Sequence, residues 1–156
     1  MKFRCAGITD TMTDGIGPAV MIFFQGCKFN CPGCHNPEQQ PLDGGYEYDT
    51  DLIVEKLEKH RDFYESVVFT GGEPSEQWEP VIHLALQARE MGLYNVLYTG
   101  LEWDKVPVEK RDLFDLVIDG PWRQDLATGG FPASSNQKIR FRGKMIKSFD
   151  EIGDLE

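Results

Sequence analysis

Three of the four cysteines of this 156-residue chain fall within eight residues of one another. Cys27, Cys31 and Cys34 have the spacing Cys-x3-Cys-x2-Cys, whereas Cys5 lies far from them in sequence. In a reducing compartment, such a group indicates metal or redox chemistry rather than a disulfide framework. Soft thiolates select iron–sulfur clusters, zinc or copper. Three thiolates also leave one iron of a four-iron cluster without a protein ligand, and an open coordination position is typical of catalytic sites.

The composition predicts one soluble globular domain. Apolar residues make up 40% of the chain and charged residues 27%, which argues against disorder. With 16 basic and 26 acidic residues the net charge is −10, which argues against nucleic acid or a membrane surface as a partner. The sequence contains neither an apolar run of about 20 residues nor a signal-peptide pattern. We therefore expect a cytoplasmic protein with a single domain over residues 1–156 and a short tail from about residue 144.

Strand-like and helix-like segments alternate along the chain. Apolar runs predict strands at residues 19–24, 67–70, 95–99, 114–118 and 137–141. Helical patterns cover residues 51–64, with Thr50 as N-cap, residues 79–91 and residues 104–112. Apolar strands that do not alternate with polar residues predict a parallel sheet with covering helices. A closed barrel needs about 250 residues, so the predicted fold is α/β, an open, partial β/α barrel.

Glycine-rich and polar motifs follow the predicted strands. They lie at residues 26–36, which we call the cysteine loop, and at residues 71–74, 99–100 and 119–123. In parallel α/β folds, the chemistry collects at the carboxyl ends of the strands. The sequence therefore predicts one active site that these motifs share.

The cysteine loop resembles that of the radical S-adenosylmethionine enzymes, which carry Cys-x3-Cys-x2-Cys after a first strand. Residues 14–18 and 23–37 together resemble the glycyl-radical-enzyme activases. Many members of the superfamily have an aromatic residue just before the third cysteine, where this chain has Gly33. The resulting Cys-Pro-Gly-Cys string is similar to that of the activases of anaerobic ribonucleotide reductase.

Two later motifs extend the resemblance to the binding of S-adenosylmethionine. Gly71, Gly72 and Glu73 resemble the superfamily's motif that binds the amino group of the methionine part. Glycines permit close approach of the backbone, and a carboxylate accepts hydrogen bonds from an ammonium group. The same resemblance implies that Thr99 and Asp119 face the cofactor, near its ribose and carboxylate. Alternatively, Asp119 helps to bind a monovalent cation or caps a helix.

The segment of residues 134–139 resembles a Ser-Ser-Asn-Gln-basic-apolar segment of the ribonucleotide-reductase activases. Its role does not follow from its chemistry, because a polar, donor-rich segment either lines a site or meets a partner. Basic residues at positions 138, 140, 142 and 144 form either a solvated face or a docking surface. His35 adjoins Cys34 and is a candidate to contact the cluster without binding it.

The resemblance implies an oxidoreductase in which Cys27, Cys31 and Cys34 bind a [4Fe-4S] cluster. S-adenosylmethionine chelates the unique iron through its amino and carboxylate groups, and an electron donor such as flavodoxin reduces the cluster. The 5′-deoxyadenosyl radical then takes a hydrogen atom from a glycine Cα of the large subunit of anaerobic ribonucleoside-triphosphate reductase. No catalytic residue is expected beyond the cluster and the cofactor.

Three alternatives stay open at this point. A pyruvate formate-lyase-type activase shares the mechanism, but is usually longer and lacks the late polar segment. A small-molecule radical enzyme, such as a deazapurine synthase, shares the cluster and acts without a protein partner. A structural zinc module needs a fourth ligand, for which Cys5 is a candidate.

Overall fold

The computed structural model describes residues 1–29, 31–34 and 37–155, and within these residues eight strands form one sheet. The strands are β1 (Lys2–Thr11), β2 (Ala19–Phe24), β3 (Tyr46–Asp49), β4 (Ser66–Gly71), β5 (Tyr94–Tyr98), β6 (Leu116–Asp119), β7 (Lys138–Phe141) and β8 (Lys144–Ile146). Their order across the sheet is β3-β1-β2-β4-β5-β6-β7-β8. The sheet is open, because β3 and β8 lie at its opposite edges.

The four central strands β2, β4, β5 and β6 are parallel, which confirms the predicted α/β class. Their carboxyl ends therefore meet at one edge of the sheet, as the motif positions required. The outer strands are antiparallel, so the sheet is mixed rather than wholly parallel. The strand predicted at residues 137–141 is present as β7, and it runs antiparallel to β6 with Phe141 opposite Leu116.

The helices are α1 (Thr50–Lys59), α2 (Trp78–Glu90), α3 (Val108–Arg111) and α4 (Ile152–Leu155). The N-cap of α1 is Asp49 rather than Thr50, because the Asp49 carboxylate accepts the N–H of Asp51 at 3.0 Å. The helix predicted over residues 104–112 is wrong. A 3-10 turn and α3 replace it, because Pro107 between them has no N–H for a continuous helix. Among the described residues, no helix is long and apolar enough to cross a membrane.

Sequence patterns missed three strands, β1, β3 and β8. β1 mixes charged and apolar residues, and its register shifts between Cys5 and Gly7. β3 is a polar edge strand, and β8 has only three residues. β8 falls in the segment for which we expected a tail. Ile146 and Ile152 of that segment pack in the core.

The sheet has two apolar faces because successive side chains of a strand point to opposite sides. One face, which includes Ile22 and Phe69, packs against α1 and α2. The other includes Val68 and Val96, and Tyr98 packs against it together with residues near the C-terminus. Because Tyr98 also lines the cavity described below, that cavity opens on the face opposite the two long helices.

Candidate active site

A cavity of about 300 Å³ lies at the carboxyl ends of the four parallel strands. All four predicted motifs contribute lining residues: the three cysteines of the loop, the segment Gly71 to Glu73, Thr99 with Gly100, and Gly120 with Trp122. The structure therefore brings together the residues that sequence reasoning assigned to the cluster and most of those assigned to S-adenosylmethionine. His35 lies outside the described residues.

The cysteine loop starts directly after β2 and is anchored at its base by backbone hydrogen bonds. The N–H of Gly26 donates to the carbonyl of Gln39 at 2.8 Å, and the N–H of Cys27 donates to Gln40 at 2.9 Å. Further along, the N–H of Cys34 donates to the carbonyl of Cys31 at 3.1 Å. Backbone hydrogen bonds thus hold the start of the loop against residues 39 and 40 and close a turn between Cys31 and Cys34.

Burial raises the pKa of the Cys27 and Cys31 thiols. The N–H of Phe29 opposes this shift at Cys27, and the negative charge of Cys34 adds to it at Cys31. In the metal-free chain these thiols are therefore protonated at neutral pH. A metal must displace protons to bind them, because thiolates are the ligating form.

The donor set fits a [4Fe-4S] cluster. Three thiols line one cavity, and in such a cluster each thiolate binds a different iron. Within residues 1–29, 31–34 and 37–155, no three His, Cys, Asp or Glu side chains converge as closely as a single metal ion requires. Cys5 is fully buried in the core beneath α1 and α2, so it does not supply the fourth ligand considered for zinc.

Gly71 and Gly72 let the end of β4 pack directly on the start of the cysteine loop. Gly71 has φ +109°, and a Cβ there would collide with the backbone nitrogen of Phe24. A Cβ on Gly72 would lie 2.5 Å from the carbonyl oxygen of Gly26. The N–H of Gly72 donates to Phe24, and that of Glu73 donates to Gly26, both at 2.7 Å. The two glycines are thus required by contacts within the chain.

Glu73 is 1% exposed, and hydrogen bonds from the chain reach both of its carboxylate oxygens. Oε1 accepts the N–H of Gly100 at 2.7 Å. Oε2 accepts the Thr99 hydroxyl at 2.7 Å and the N–H of Ser75 at 3.0 Å. Burial raises the pKa of Glu73, and these bonds oppose the rise. Glu73 therefore joins the ends of β4 and β5, and its contact with an ammonium group stays a prediction.

Asp119 lies at a different cavity from the cysteines. This second cavity, of about 440 Å³, is lined by acidic and basic side chains, among them Glu102, Lys138 and Arg140. The Asp119 carboxylate is 3% exposed and accepts the Nε–H of Arg140 at 2.9 Å. Burial raises the pKa of Asp119, while the bond to Arg140 opposes that rise. A cofactor-facing role for Asp119 stays a prediction, and its observed partner is a guanidinium.

The cavity that contains the three cysteines, which we call the cysteine cavity, is also lined by aromatic side chains. The sequence analysis did not single them out. They are Phe29, Tyr98, Trp122 and Phe131. The indole Nε1–H of Trp122 donates to the carbonyl of Gly33 at 3.0 Å. The signal for Trp122 was its place inside the motif after β6, whereas nothing in the sequence indicated that Phe131 reaches the cavity.

Two of the four basic residues at positions 138, 140, 142 and 144 form ion pairs with carboxylates. Arg140 binds Asp119, and Arg142 lies 3.5 Å from the carboxylate of Asp115. Lys138 and Lys144 are exposed. The arginines are thus paired with carboxylates of β6 and of the residue just before it, whereas the exposed lysines fit both a solvated face and a docking surface.

Comparison with known proteins identifies the family. The family model described as "4Fe-4S single cluster domain" matches residues 13–140, which include the three clustered cysteines and all the strand-end motifs. The chain belongs to this family. An iron–sulfur cluster is therefore the metal group of this chain, rather than the zinc considered above.

Curated relatives of the chain are activating enzymes. It is 32% identical over 92 residues to the pyruvate formate-lyase-activating enzyme of Clostridium pasteurianum, covering 56% of this chain and 39% of that relative. It is 32% identical over 121 residues to a putative glycyl-radical enzyme activating enzyme of Haemophilus influenzae, covering 72% and 46%. It is 26% identical over 140 residues to the anaerobic ribonucleoside-triphosphate reductase-activating protein of Salmonella typhimurium, covering 82% and 91%.

The chain thus spans less than half the length of the first two relatives and most of the third. Among solved structures, it is similar to QueE from Escherichia coli, with a TM-score of 0.49 and 19% identity over 64% of this chain and 53% of that chain. That likeness is too slight to bear on function. The [4Fe-4S] cluster predicted from the sequence is confirmed by the family match, and S-adenosylmethionine, which was predicted with it, belongs to the function proposed below.

Proposed function

We propose that this chain activates a glycyl-radical enzyme, and that its partner is the large subunit of anaerobic ribonucleoside-triphosphate reductase. The observation that carries the proposal is one cavity lined by Cys27, Cys31 and Cys34 together with the strand end from Gly71 to Glu73. It supports a site in which a cluster and S-adenosylmethionine lie side by side.

The choice of partner is supported by how much of each relative the chain matches. The reductase-activating protein of Salmonella typhimurium is matched over 91% of its length and 82% of this chain. The pyruvate formate-lyase-activating enzyme of Clostridium pasteurianum is matched over only 39% of its length. The polar segment after residue 133, which resembles the reductase activases, also supports this choice.

In this proposal, the residues of the chain bind and orient, and the cofactors supply the reactivity. Cys27, Cys31 and Cys34 hold the cluster. Glu73 and Thr99 fix the two strand ends on which S-adenosylmethionine rests. When bound and reduced by a donor such as flavodoxin, the cluster would supply the one electron needed to cleave S-adenosylmethionine to methionine and a 5′-deoxyadenosyl radical. A glycine Cα of the partner would then give up one hydrogen atom to that radical. The products are 5′-deoxyadenosine and a glycyl radical.

The walls of the cavity suit a reaction that must exclude water. Tyr98 and Trp122 contribute aromatic surface to its interior. Phe29 and Phe131 also line it, and they are 38% and 52% exposed. We propose that the glycine-bearing segment of the partner packs against these two exposed rings and completes the wall. The whole reaction is proposed to occur in the cytoplasm, where thiols stay reduced.

A second candidate is activation of pyruvate formate-lyase. It is favoured by the 32% identity to the Clostridium pasteurianum enzyme, which exceeds the 26% identity to the reductase activator. The mechanism would be the same, and only the protein that carries the target glycine would differ.

An anaerobic activation assay tests the proposal. The chain is loaded with iron and sulfide, reduced, and mixed with S-adenosylmethionine and either the reductase large subunit or pyruvate formate-lyase. We expect a glycyl-radical doublet in the EPR spectrum of the reductase subunit, and no doublet with the Cys34→Ala variant. A doublet only on pyruvate formate-lyase would select the second candidate. Cleavage of S-adenosylmethionine without a radical on either protein would reject both.

A further inference from the structure

Trp122 contacts the cysteine loop through both its main chain and its side chain. Its backbone N–H lies close enough to the Cys31 thiol to oppose the rise that burial causes in the pKa of that thiol. Its indole Nε1–H donates to the carbonyl of Gly33 at 3.0 Å. The chain just beyond Trp122 also packs on the loop, because a Cβ on Gly33 would lie 2.8 Å from the carboxamide of Gln124. The second half of the cysteine loop therefore rests on the turn that follows β6.

That turn is held in place by the polar segment at residues 134–139. The side-chain Nδ2–H of Asn136 donates to the carbonyl of Pro121 at 2.8 Å. The Nε2–H of Gln137 donates to the carbonyl of Gly120 at 3.2 Å. Both carbonyls belong to the residues that immediately precede Trp122 in the chain. Two side chains of one short segment thus fix the backbone that presents Trp122.

Ser134 makes the polar segment itself rigid. It is fully buried, and its Oγ accepts the N–H of Arg123 at 3.2 Å, on the other side of Trp122. Its hydroxyl and N–H both donate to Oε1 of Gln137, at 3.1 and 3.0 Å. The turn is therefore bound on both sides of Trp122 by side chains that are also bound to each other.

We propose that Trp122 is a positioning residue for the iron–sulfur cluster, and that Asn136 and Gln137 act through it by fixing the turn on which it lies. The polar segment, whose role the sequence left open, then supports the cysteine loop through the turn that follows β6. This inference rests on the proposed function in one respect, which is that Cys27, Cys31 and Cys34 are the cluster ligands.

The proposal has a physical consequence for cluster retention. Groups that hydrogen-bond to metal ligands orient them, and their removal typically lowers metal affinity about 10- to 100-fold. Hydrogen bonds to cluster sulfurs also tune the electronic properties of the cluster. Asn136 lines the second cavity and not the cysteine cavity. A substitution of Asn136 can therefore affect the cluster only by altering the turn that carries Trp122.

The test compares iron release from the cluster-loaded chain in four variants, without S-adenosylmethionine or partner. Trp122→Phe removes the indole donor and keeps an aromatic ring, and Asn136→Asp removes the amide donor at nearly constant size. Ser135→Ala is the matched control, because this exposed side chain lies in the same segment. The fourth variant combines Trp122→Phe with Asn136→Asp. The rate is followed with an iron chelator, and the EPR g-values of the reduced cluster are recorded.

We expect iron release about tenfold faster in Trp122→Phe and Asn136→Asp, and unchanged in Ser135→Ala. Iron release from the double variant should be no faster than from Trp122→Phe alone, because both substitutions disrupt the same contact between the turn and the cysteine loop. Both single variants should shift the g-values in the same direction. Asn136→Ala repeats the test at the same position, and circular dichroism of each metal-free variant checks that it folds.

The inference would be overturned if Trp122→Phe released iron at the wild-type rate. It would also be overturned if the effects of the two substitutions on iron release were additive in the double variant. Its failure is distinguishable from failure of the proposed function. A wild-type chain that holds its cluster but forms no glycyl radical would reject the function and leave this inference intact. A wild-type chain that binds no cluster would overturn both.

Discussion

The carboxylate of Glu73 accepts a hydrogen bond of 2.7 Å from the hydroxyl of Thr99, which lies 26 residues further along the chain. The same carboxylate also accepts the backbone N–H of Gly100. Because Glu73 follows β4 and Thr99 follows β5, this buried group joins the ends of two neighbouring strands at the cavity. This carboxylate thus extends the connection between β4 and β5 beyond their backbone pairing, which ends at Phe69 and Leu97.

Removal of the Thr99 hydroxyl should weaken this connection. In Thr99→Val, Glu73 loses one donor and the N–H of Leu101 loses its acceptor, the Thr99 hydroxyl. We expect the free energy of unfolding to fall by about 1–2 kcal/mol. Urea denaturation of the metal-free chain measures this change. Thr99→Ser keeps the hydroxyl and should retain most of the stability, so equal losses in both variants would contradict the assignment.

The pKa of Glu73 gives a pH-dependent prediction. Burial raises this pKa above its ordinary value of 4.5, so the folded chain holds the proton more tightly than the unfolded chain. The stabilisation that results is complete below pH 4.5, and it is lost as the pH rises through the pKa that Glu73 has in the folded chain. The unfolding free energy of the wild type, relative to Glu73→Gln, should therefore fall as the pH rises above 4.5. A difference that grows with pH would show that the hydrogen bonds outweigh burial.

Substitution of any of the three clustered cysteines should affect cluster binding, whereas substitution of the fourth cysteine should not. Alanine at Cys27, Cys31 or Cys34 should abolish the cluster, because each thiolate binds a separate iron. Cys5→Ala should leave the iron content unchanged, since Cys5 lies in the core. Iron and sulfide analysis after anaerobic reconstitution measures both effects. Loss of iron in Cys5→Ala, with the fold intact by circular dichroism, would refute the three-ligand assignment.

Cluster assembly should depend on pH through the thiols. Burial raises the pKa of Cys27 and Cys31 above the ordinary value of 9.0, so protons compete with iron for these ligands at neutral pH. Reconstitution should therefore be faster at about pH 9 than at about pH 7. The growth of the cluster absorbance, followed anaerobically at fixed iron and sulfide, measures the rate. A pH-independent rate would mean that deprotonation does not limit assembly.

Gly71 should not tolerate a side chain. Gly71→Ala places a Cβ against the backbone of Phe24 in a backbone conformation that L-residues rarely adopt. We expect the variant to lose more than about 2 kcal/mol of unfolding free energy, or to fail to fold. Gly130→Ala is the control, because a Cβ there meets open space. Similar denaturation midpoints for the two variants would show that β4 can move away from the cysteine loop.

Sequence patterns predicted the parts of the fold that depend on short-range order. β2 begins and ends at the predicted residues, because six consecutive apolar residues in a buried parallel strand leave a clear pattern. The antiparallel direction of β7 and the pairing of β3 with β1 were not predictable, because they depend on contacts between distant segments. The helix expected over residues 104–112 does not form because Pro107 interrupts the helical pattern.

The candidate site was predictable where a residue type is tied to one kind of chemistry. Three closely spaced cysteines directly indicated a metal site, and they line one cavity in the structure. Thr99 was expected to contact a cofactor, and the structure shows its hydroxyl bound to Glu73. The support that Trp122 gives to the cysteine loop was not predictable, since only the folded chain brings residue 122 to residues 31 and 33.

The burial of Cys5 has a practical consequence for anyone who handles the protein. This thiol has no exposed surface, and burial raises its pKa to about 11, so it is nearly inert toward alkylating reagents at neutral pH. The metal-free folded chain should thus consume three equivalents of a thiol reagent, and the unfolded chain four. The fourth equivalent is then an internal measure of the unfolded fraction in any metal-free preparation.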